Sequence, residues 1–264
     1  MNAIEKFEND VRQNISGLSD DDDFRKQSIN WVVKANSHRY TYNFTSLGRP
    51  VIQFPQDIIA MQELVWLIKP DLVIETGIAH GGSLIASAAA LALLDYCEAV
   101  KAGTTLDPKA SRRRVLAVDI DIRPHNRAAI EAHPLSHMIE MIEGSSIDPT
   151  IVDQVAMRSR DFSRVLVSLD SNHTHDHVLS ELEAYAPLTS VGSYCVVFDT
   201  AIEDMPADMF ADRSWGIGNN PKTAVWAYLA QTKDTAGPKF EIDRELEAKL
   251  SITVAPDGYL KRTA

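Results

Sequence analysis

The period of apolar and polar positions changes repeatedly along the chain. IIAMQELVWLIK carries apolar residues at three- and four-residue spacing, which predicts a helix led in by Pro55 and Asp57. From there, unbroken apolar runs alternate with longer amphipathic ones. DLVIET, RVLAVDI, HMIEMIEG, RVLVSLD and SYCVVFDT read as strands. SLIASAAALALLDYCEAV, PHNRAAIEAH, PTIVDQVAMRSR and HDHVLSELEAYAPL, between them, read as helices. Strands that are apolar on both faces and separated by helices predict a parallel sheet covered on both sides. FEID and KLSITVAPDGYLKR add a last pair of strands joined through a Pro-Asp-Gly turn. The expected fold is α/β: a doubly wound, mostly parallel, Rossmann-like sheet with a C-terminal antiparallel hairpin.

Upstream, residues 1 to about 37 read as polar helix, broken by the acid run Asp20 to Asp23, which marks a turn and a helix start. RYTYNFTSLGRPVIQFPQD mixes aromatics with glycine and proline, the composition of an ordered loop. The expected division is an N-terminal helical extension with its aromatic loop over residues 1–50, and the sheet domain over 51–264.

Composition narrows the classes. A chain of 264 residues, 45% hydrophobic, can bury one full core with an appendage. Its formal charge is −11. The one strongly basic run, Arg112, Arg113 and Arg114, is expected to solubilise the approach to a strand. Without a basic stripe, nucleic acid is not an expected partner. Cys97 and Cys195 sit in no CxxC or Cys/His cluster, and Cys195 reads as a packed thiol. MNAIEKFENDVRQ has no apolar signal core, and the apolar segment Leu84 to Leu94 is too short to cross a bilayer. A cytoplasmic protein with no membrane partner is the resulting expectation. The amphipathic N-terminal helices leave a homo-oligomer open.

The strand ends carry the chemistry. In open α/β sheets, ligands lie beyond the carboxyl ends of the strands, near the point where strand order reverses. LVIETGIAHGGS puts Glu75, Gly77, His80, Gly81, Gly82 and Ser83 at such an end. Glycine lets the backbone turn sharply and approach a ligand, and Ser83 is placed to cap the next helix. A dinucleotide loop would read GxGxxG and hold pyrophosphate. Here an acid precedes the first glycine; it would repel pyrophosphate and favour an amine-bearing ligand. That points to the aminoacyl part of S-adenosylmethionine, with His80 either touching its carboxylate or acting through its backbone. Asp119, ending the second strand, can accept from both ribose hydroxyls, with Asp121 as its competitor. Ser145 and Ser146, in EGSS, stand where the adenine edge would lie. Each feature alone also fits a structural turn.

Asp170 and Asp199 end two further strands. On neighbouring strands, roughly 5 Å apart, their carboxylates would converge. Two such charges favour a divalent cation, and oxygen ligands indicate Mg²⁺, with Mn²⁺ or Ca²⁺ as alternatives. His173 and His177, spaced i,i+4 after Asp170, raise a rival: a non-haem iron oxygenase. That rival leaves ETGIAHGGS unexplained. The long loop AIEDMPADMFADRSWGIGNNPKTAVW is of the kind that closes over substrate, and Asn220-Pro221 is a good helix start. Asp204, Trp215, Asn219 and Asn220 are its candidate substrate contacts. Tyr40, in an aromatic segment with Tyr42 and Phe44, is a candidate for the acceptor pocket.

ETGIAHGGS resembles the first motif of class I S-adenosylmethionine-dependent methyltransferases, in the ExGxxxGxS form of catechol-type, metal-dependent O-methyltransferases. ETGIAHGGSLIASA, LDSNHTHDHVLSELEAYAPL and GNNPKTAVWAYL are more closely similar to the family named after cephalosporin hydroxylase, which includes antibiotic and sugar O-methyltransferases. The likeness covers roughly residues 40 to 262. It implies a Rossmann-like methyltransferase sheet and methyl transfer rather than hydroxylation. S-adenosylmethionine would be the methyl donor, and a small molecule, sugar or glycosylated natural product the acceptor. The catechol-type pattern puts metal ligands on Asp170, Asp199 and Thr200, where threonine replaces an amide. The cephalosporin branch has an acid where this chain has Phe198. His173 falls where catechol-type enzymes carry a lysine general base; histidine, ordinarily titrating near pH 6.5, suits that task. A non-catalytic, nucleoside-binding protein of the same fold is the other alternative. The intact set Glu75, Asp119, Asp170, His173 and Asp199 speaks against it.

Overall fold

The computed structural model describes residues 2–264. Helices α1 (Ala3–Asp20) and α2 (Asp22–Ser37) come first, with the Asp21 side chain accepting from the Phe24 amide at 2.8 Å to cap the second. A short hairpin follows, β1 (Phe44–Ser46) and β2 (Arg49–Val51). Next come α3 (Pro55–Ile68), β3 (Leu72–Thr76), α4 (Gly82–Ala102), β4 (Arg114–Asp119), α5 (Pro124–Glu131) and β5 (Ile139–Glu143). The chain continues through α6 (Pro149–Ser159), β6 (Val165–Leu169), α7 (His175–Tyr185), β7 (Tyr194–Val197) and α8 (Pro221–Thr232). It closes with β8 (Phe240–Ile242), α9 (Arg244–Leu250) and β9 (Tyr259–Arg262).

Seven strands form one sheet in the order β5-β4-β3-β6-β7-β9-β8. The first five are parallel, and β9 runs antiparallel to both of its neighbours. Alternate side chains of β3 explain why its sequence is apolar throughout. Val73 joins Leu84, Ala88 and Leu91 of α4 on one face, and Leu72 and Ile74 join Val178 and Leu182 of α7 on the other. The expected doubly wound α/β sheet is therefore the observed one. The chain winds outward from β3 through β4 to β5 and then returns to β6, so strand order reverses between β3 and β6.

Four local expectations change. The aromatic loop contains the hairpin β1–β2, whose turn residues Leu47 and Gly48 have φ of 43° and 89°. Two successive positive φ values are the geometry that matches strand twist in a two-residue hairpin. Leucine there gives no signal in sequence. The terminal strand pair is antiparallel as expected, but α9 joins it, and the Pro-Asp-Gly turn only leads into β9. Arg113 is buried rather than solubilising: its guanidinium pairs with Asp95, and with Glu98 at 2.8 Å, tying α4 to the start of β4. Helix α4 runs 21 residues and is long and apolar enough to span a bilayer. Here Leu84, Ile85, Ala88, Leu91 and Leu94 are buried against the fold, so it serves as a core helix. Cys195 is buried as expected, with burial pushing its thiol up.

Candidate active site

The reversal between β3 and β6 brings the glycine loop against Asp170. Gly77 has φ +90°, and a Cβ built on it would lie 2.0 Å from the Asp170 carbonyl oxygen. That carbonyl belongs to a backbone fixed by the Asp170 amide donating to Thr76 O at 2.9 Å, so neither side can yield. Gly77→Ala is expected to cost about 2–4 kcal/mol through backbone strain and overlap together. Urea unfolding of the two forms checks this; an equal midpoint would contradict the packing described.

Helix α4 starts from Gly81 without a side-chain cap, so Ser83 does not serve as the expected cap. It lies instead beside Glu75, whose Oε1 accepts from Ser87 Oγ at 2.5 Å. Burial raises the Glu75 carboxyl above its ordinary range despite both hydroxyls. His80 acts through its backbone: its carbonyl accepts from Arg49 Nε at 3.0 Å and Nη2 at 2.6 Å. Asn126 braces the same turn, donating to Ala79 O at 2.8 Å. Arg49 and Asn126 carry no signal in the sequence, because they come from opposite sides of the motif.

At the carboxyl end of β4, Asp119 Oδ2 accepts from the Ile78 and Ala79 amides at 2.7 and 3.3 Å, and Oδ1 from Asp121 N at 3.0 Å. Asp119 thus shapes the loop as well as facing the β4 end. Asp121 is exposed beside Arg123. Ser145 holds the next turn through its carbonyl, which accepts from Asp148 N at 3.0 Å. Ser146 is buried and meets His177 Nε2 at 3.1 Å, within a network of Ser171 and Glu181.

Asp170, His173 and Asp199 meet, with one ligand atom from each lying within 4.8 Å of the others. Strand register alone does not achieve this: Leu169 pairs with Val197, so Asp199 begins one residue too far along. A left-handed turn at Asp199, φ 56° and ψ 20°, brings its carboxylate back. Aspartate tolerates that region better than most residues. His173 Nδ1 lies 3.2 Å from Asp199 Oδ2, and the Trp215 ring stands edge-on to the imidazole at 4.9 Å between centroids.

Thr200, expected as a third oxygen ligand, is fully buried and donates to Pro256 O at 2.5 Å. The turn at Asp199 sends its side chain away, and histidine fills the third place in the cluster. His177 is held in the Ser146–Ser171–Glu181 network and stands outside the cluster, so the two-histidine iron set of the rival oxygenase does not assemble. Of the loop residues, Trp215 reaches the site. Asn220 caps α8, Asn219 Oδ1 accepts from His175 N at 2.8 Å, and Asp204 pairs with Lys222 at 2.6 Å. Tyr40 packs among Trp31, Phe44 and Phe54.

Asp170 stands well above the ordinary carboxylate range, first through burial and then through Asp199, Glu75 and Glu181. Burial likewise lifts Asp57 to about 6 and Glu247 to about 7. For raised acids, stability is greatest below the unfolded pKa near 4 and is lost as pH rises through the folded values. For Asp57 the loss is about 3 kcal/mol. With EDTA present, the thermal midpoint should fall between pH 4 and pH 7, and Asp57→Asn should flatten that fall. A midpoint that rises across the window would contradict the assignment.

The sequence matches the family model described as rhamnosyl O-methyltransferase/CmcI over residues 38–263. The rhamnosyl O-methyltransferase of Mycobacterium tuberculosis (strain H37Rv) is 31% identical over 208 residues, covering 78% of this chain and 73% of the relative. That of Mycobacterium leprae is 27% identical over 225 residues, covering 84% and 85%. A CmcI structure described as its Mg–SAM form superposes with a TM-score of 0.51 at 16% identity, covering 84% of this chain and 78% of CmcI. A CmcI structure with SAH gives 0.50 at 15%, covering 84% and 83%. These superpositions bear out the fold. The expectation of a methyltransferase related to cephalosporin hydroxylase is likewise borne out, and the chain belongs to the rhamnosyl O-methyltransferase/CmcI family of S-adenosylmethionine-dependent O-methyltransferases.

Proposed function

We propose that this chain transfers the methyl group of S-adenosylmethionine to a hydroxyl of a sugar or glycosylated product, with Mg²⁺ held by Asp170 and Asp199 and with His173 beside it as general base. The observation that carries the reading is the convergence of those three side chains beside the glycine loop. The mycobacterial relatives, named for rhamnosyl methylation, favour a deoxysugar hydroxyl as acceptor. Donor chemistry fits the cation: two carboxylates, with Asp170 further burdened by Glu75 and Glu181.

A divalent cation at this cluster supplies Lewis acidity that lowers the pKa of an acceptor hydroxyl. The residues do the rest. Gly77 to Ser83 and the N-terminus of α4 cradle the aminoacyl end of the methyl donor, with Glu75 drawing its ammonium. Asp119, already turned to the loop, offers its remaining lone pairs to ribose. His173 Nδ1 lies on the Asp199 side of the ring, 3.2 Å from Oδ2, so Nε2 is the nitrogen left to take the acceptor's proton. Trp215 fixes the ring's orientation. The sulfonium already activates the methyl group, so the main task left is to align the acceptor oxygen with it.

Purified protein with methyl-labelled S-adenosylmethionine, rhamnose-bearing glycolipids and nucleotide sugars tests the reading. Label should enter the sugar, stop with EDTA and resume with Mg²⁺. Label entering only catechols, or transfer indifferent to EDTA, contradicts it.

A further inference from the structure

Gln53, between β2 and α3, is 8% exposed, and its two amide ends have different fates. Its Nε2 donates to Asp170 Oδ2 at 3.2 Å, whereas Oε1 is buried with no partner. Ionised, as a cation ligand must be, the Asp170 carboxylate accepts only, so its bond with Gln53 fixes which end of the amide is oxygen. The orphan is therefore an acceptor, and what it lacks is a donor. A buried, unpaired carbonyl is costly enough that a native structure retains it for a reason.

Gln53 lines two cavities. One, of about 50 Å³, lies against Gly77, His80, Gly82 and Asp170. The other, of about 190 Å³, runs beneath the loop past Glu75 and Phe198. Ser83 lines both, and neither is lined by lysine or arginine. An unpartnered carbonyl near a desolvated carboxylate, with no cation of the chain in the walls, calls for a ligand with several donors and a positive charge. A primary ammonium has that chemistry.

We infer that Gln53 Oε1 accepts a hydrogen bond from the α-ammonium of the methyl donor, while Nε2 holds Asp170, so that one side chain bridges the methyl-donor and cation sites. The inference rests on reading the glycine loop as the methyl-donor site. Gln53 is a binding and positioning residue in this account. Because it touches both sites, each ligand should tighten the other, and by the same factor.

Calorimetry tests this with two probes, S-adenosylhomocysteine, which keeps the ammonium, and 5′-methylthioadenosine, which lacks the aminoacyl arm. Gln53→Leu should weaken S-adenosylhomocysteine by about 10- to 100-fold, the loss of a hydrogen bond to a charged group. It should leave 5′-methylthioadenosine within about twofold. Gln53→Glu, nearly isosteric, retains an acceptor and should keep most of the affinity for S-adenosylhomocysteine. Mg²⁺ should tighten S-adenosylhomocysteine in the wild type and do so much less in both variants. Equal weakening of both probes would mean that Gln53 only packs, and unchanged S-adenosylhomocysteine binding would overturn the ammonium contact. An equal Mg²⁺ effect in all three proteins would overturn the bridge. If the wild type binds neither probe, the glycine loop is not the methyl-donor site and the inference falls with it.

Discussion

Asp170→Asn is expected to lower kcat/KM for methyl transfer by about 10³-fold or more, with S-adenosylhomocysteine binding reduced far less. Asp170 is the member of the cluster where several effects meet. It ends β6 at the strand-order reversal, its backbone closes against Gly77, and its carboxylate is shared with Gln53. Asparagine keeps the size and can still accept from Gln53 but removes one of the two negative charges facing a divalent ion. Isothermal titration with Mg²⁺ and steady-state kinetics over a range of metal concentration separate the causes. A purely structural role predicts lost folding stability with unchanged metal response. The cation reading predicts a folded protein with weakened Mg²⁺ binding and activity that excess metal restores only in part. Wild-type kinetics in Asp170→Asn, with or without EDTA, would end the metal assignment.

The sheet was legible because parallel strands buried on both faces have no polar alternation to confuse them; Leu72 to Ile74 and Val115 to Val118 announce themselves. The hairpin at residues 44–51 was not, since three-residue strands are too short to show a period and Leu47 hides its turn. Site residues ending the strands were named because chemistry gathers there in this architecture. Their pairing was set by features that sequence does not display. The left-handed turn at Asp199 decides that its carboxylate enters the cluster while Thr200 leaves it. Gln53 and Arg49 come from a segment preceding β3 by a full helix, and only folding brings them to the loop. Arg113 shows the same limit: a basic triplet looks solvated until Asp95 and Glu98, one helix earlier, are placed beside it.

His173→Ala should reduce kcat by about 10²- to 10⁴-fold, the range for loss of a positioned general base. Two roles are open to the same ring, and they leave different traces. As a third metal ligand through Nδ1, histidine contributes mainly to affinity for the cation, so saturating Mg²⁺ would restore the alanine variant. As a base through Nε2, with Nδ1 turned to Asp199 Oδ2 at 3.2 Å, it contributes to a proton transfer that no amount of metal replaces. The second outcome is the one expected, because Asp199 and Trp215 fix the ring's orientation without any ion. Added imidazole should then recover part of the rate, because the deleted side chain leaves room beside Trp215 for a diffusible base. Acceptors with more acidic hydroxyls should suffer less from the substitution, since their proton needs less help to leave. Full recovery by Mg²⁺ alone would reassign His173 as a ligand, and undiminished turnover would leave the proton to solvent.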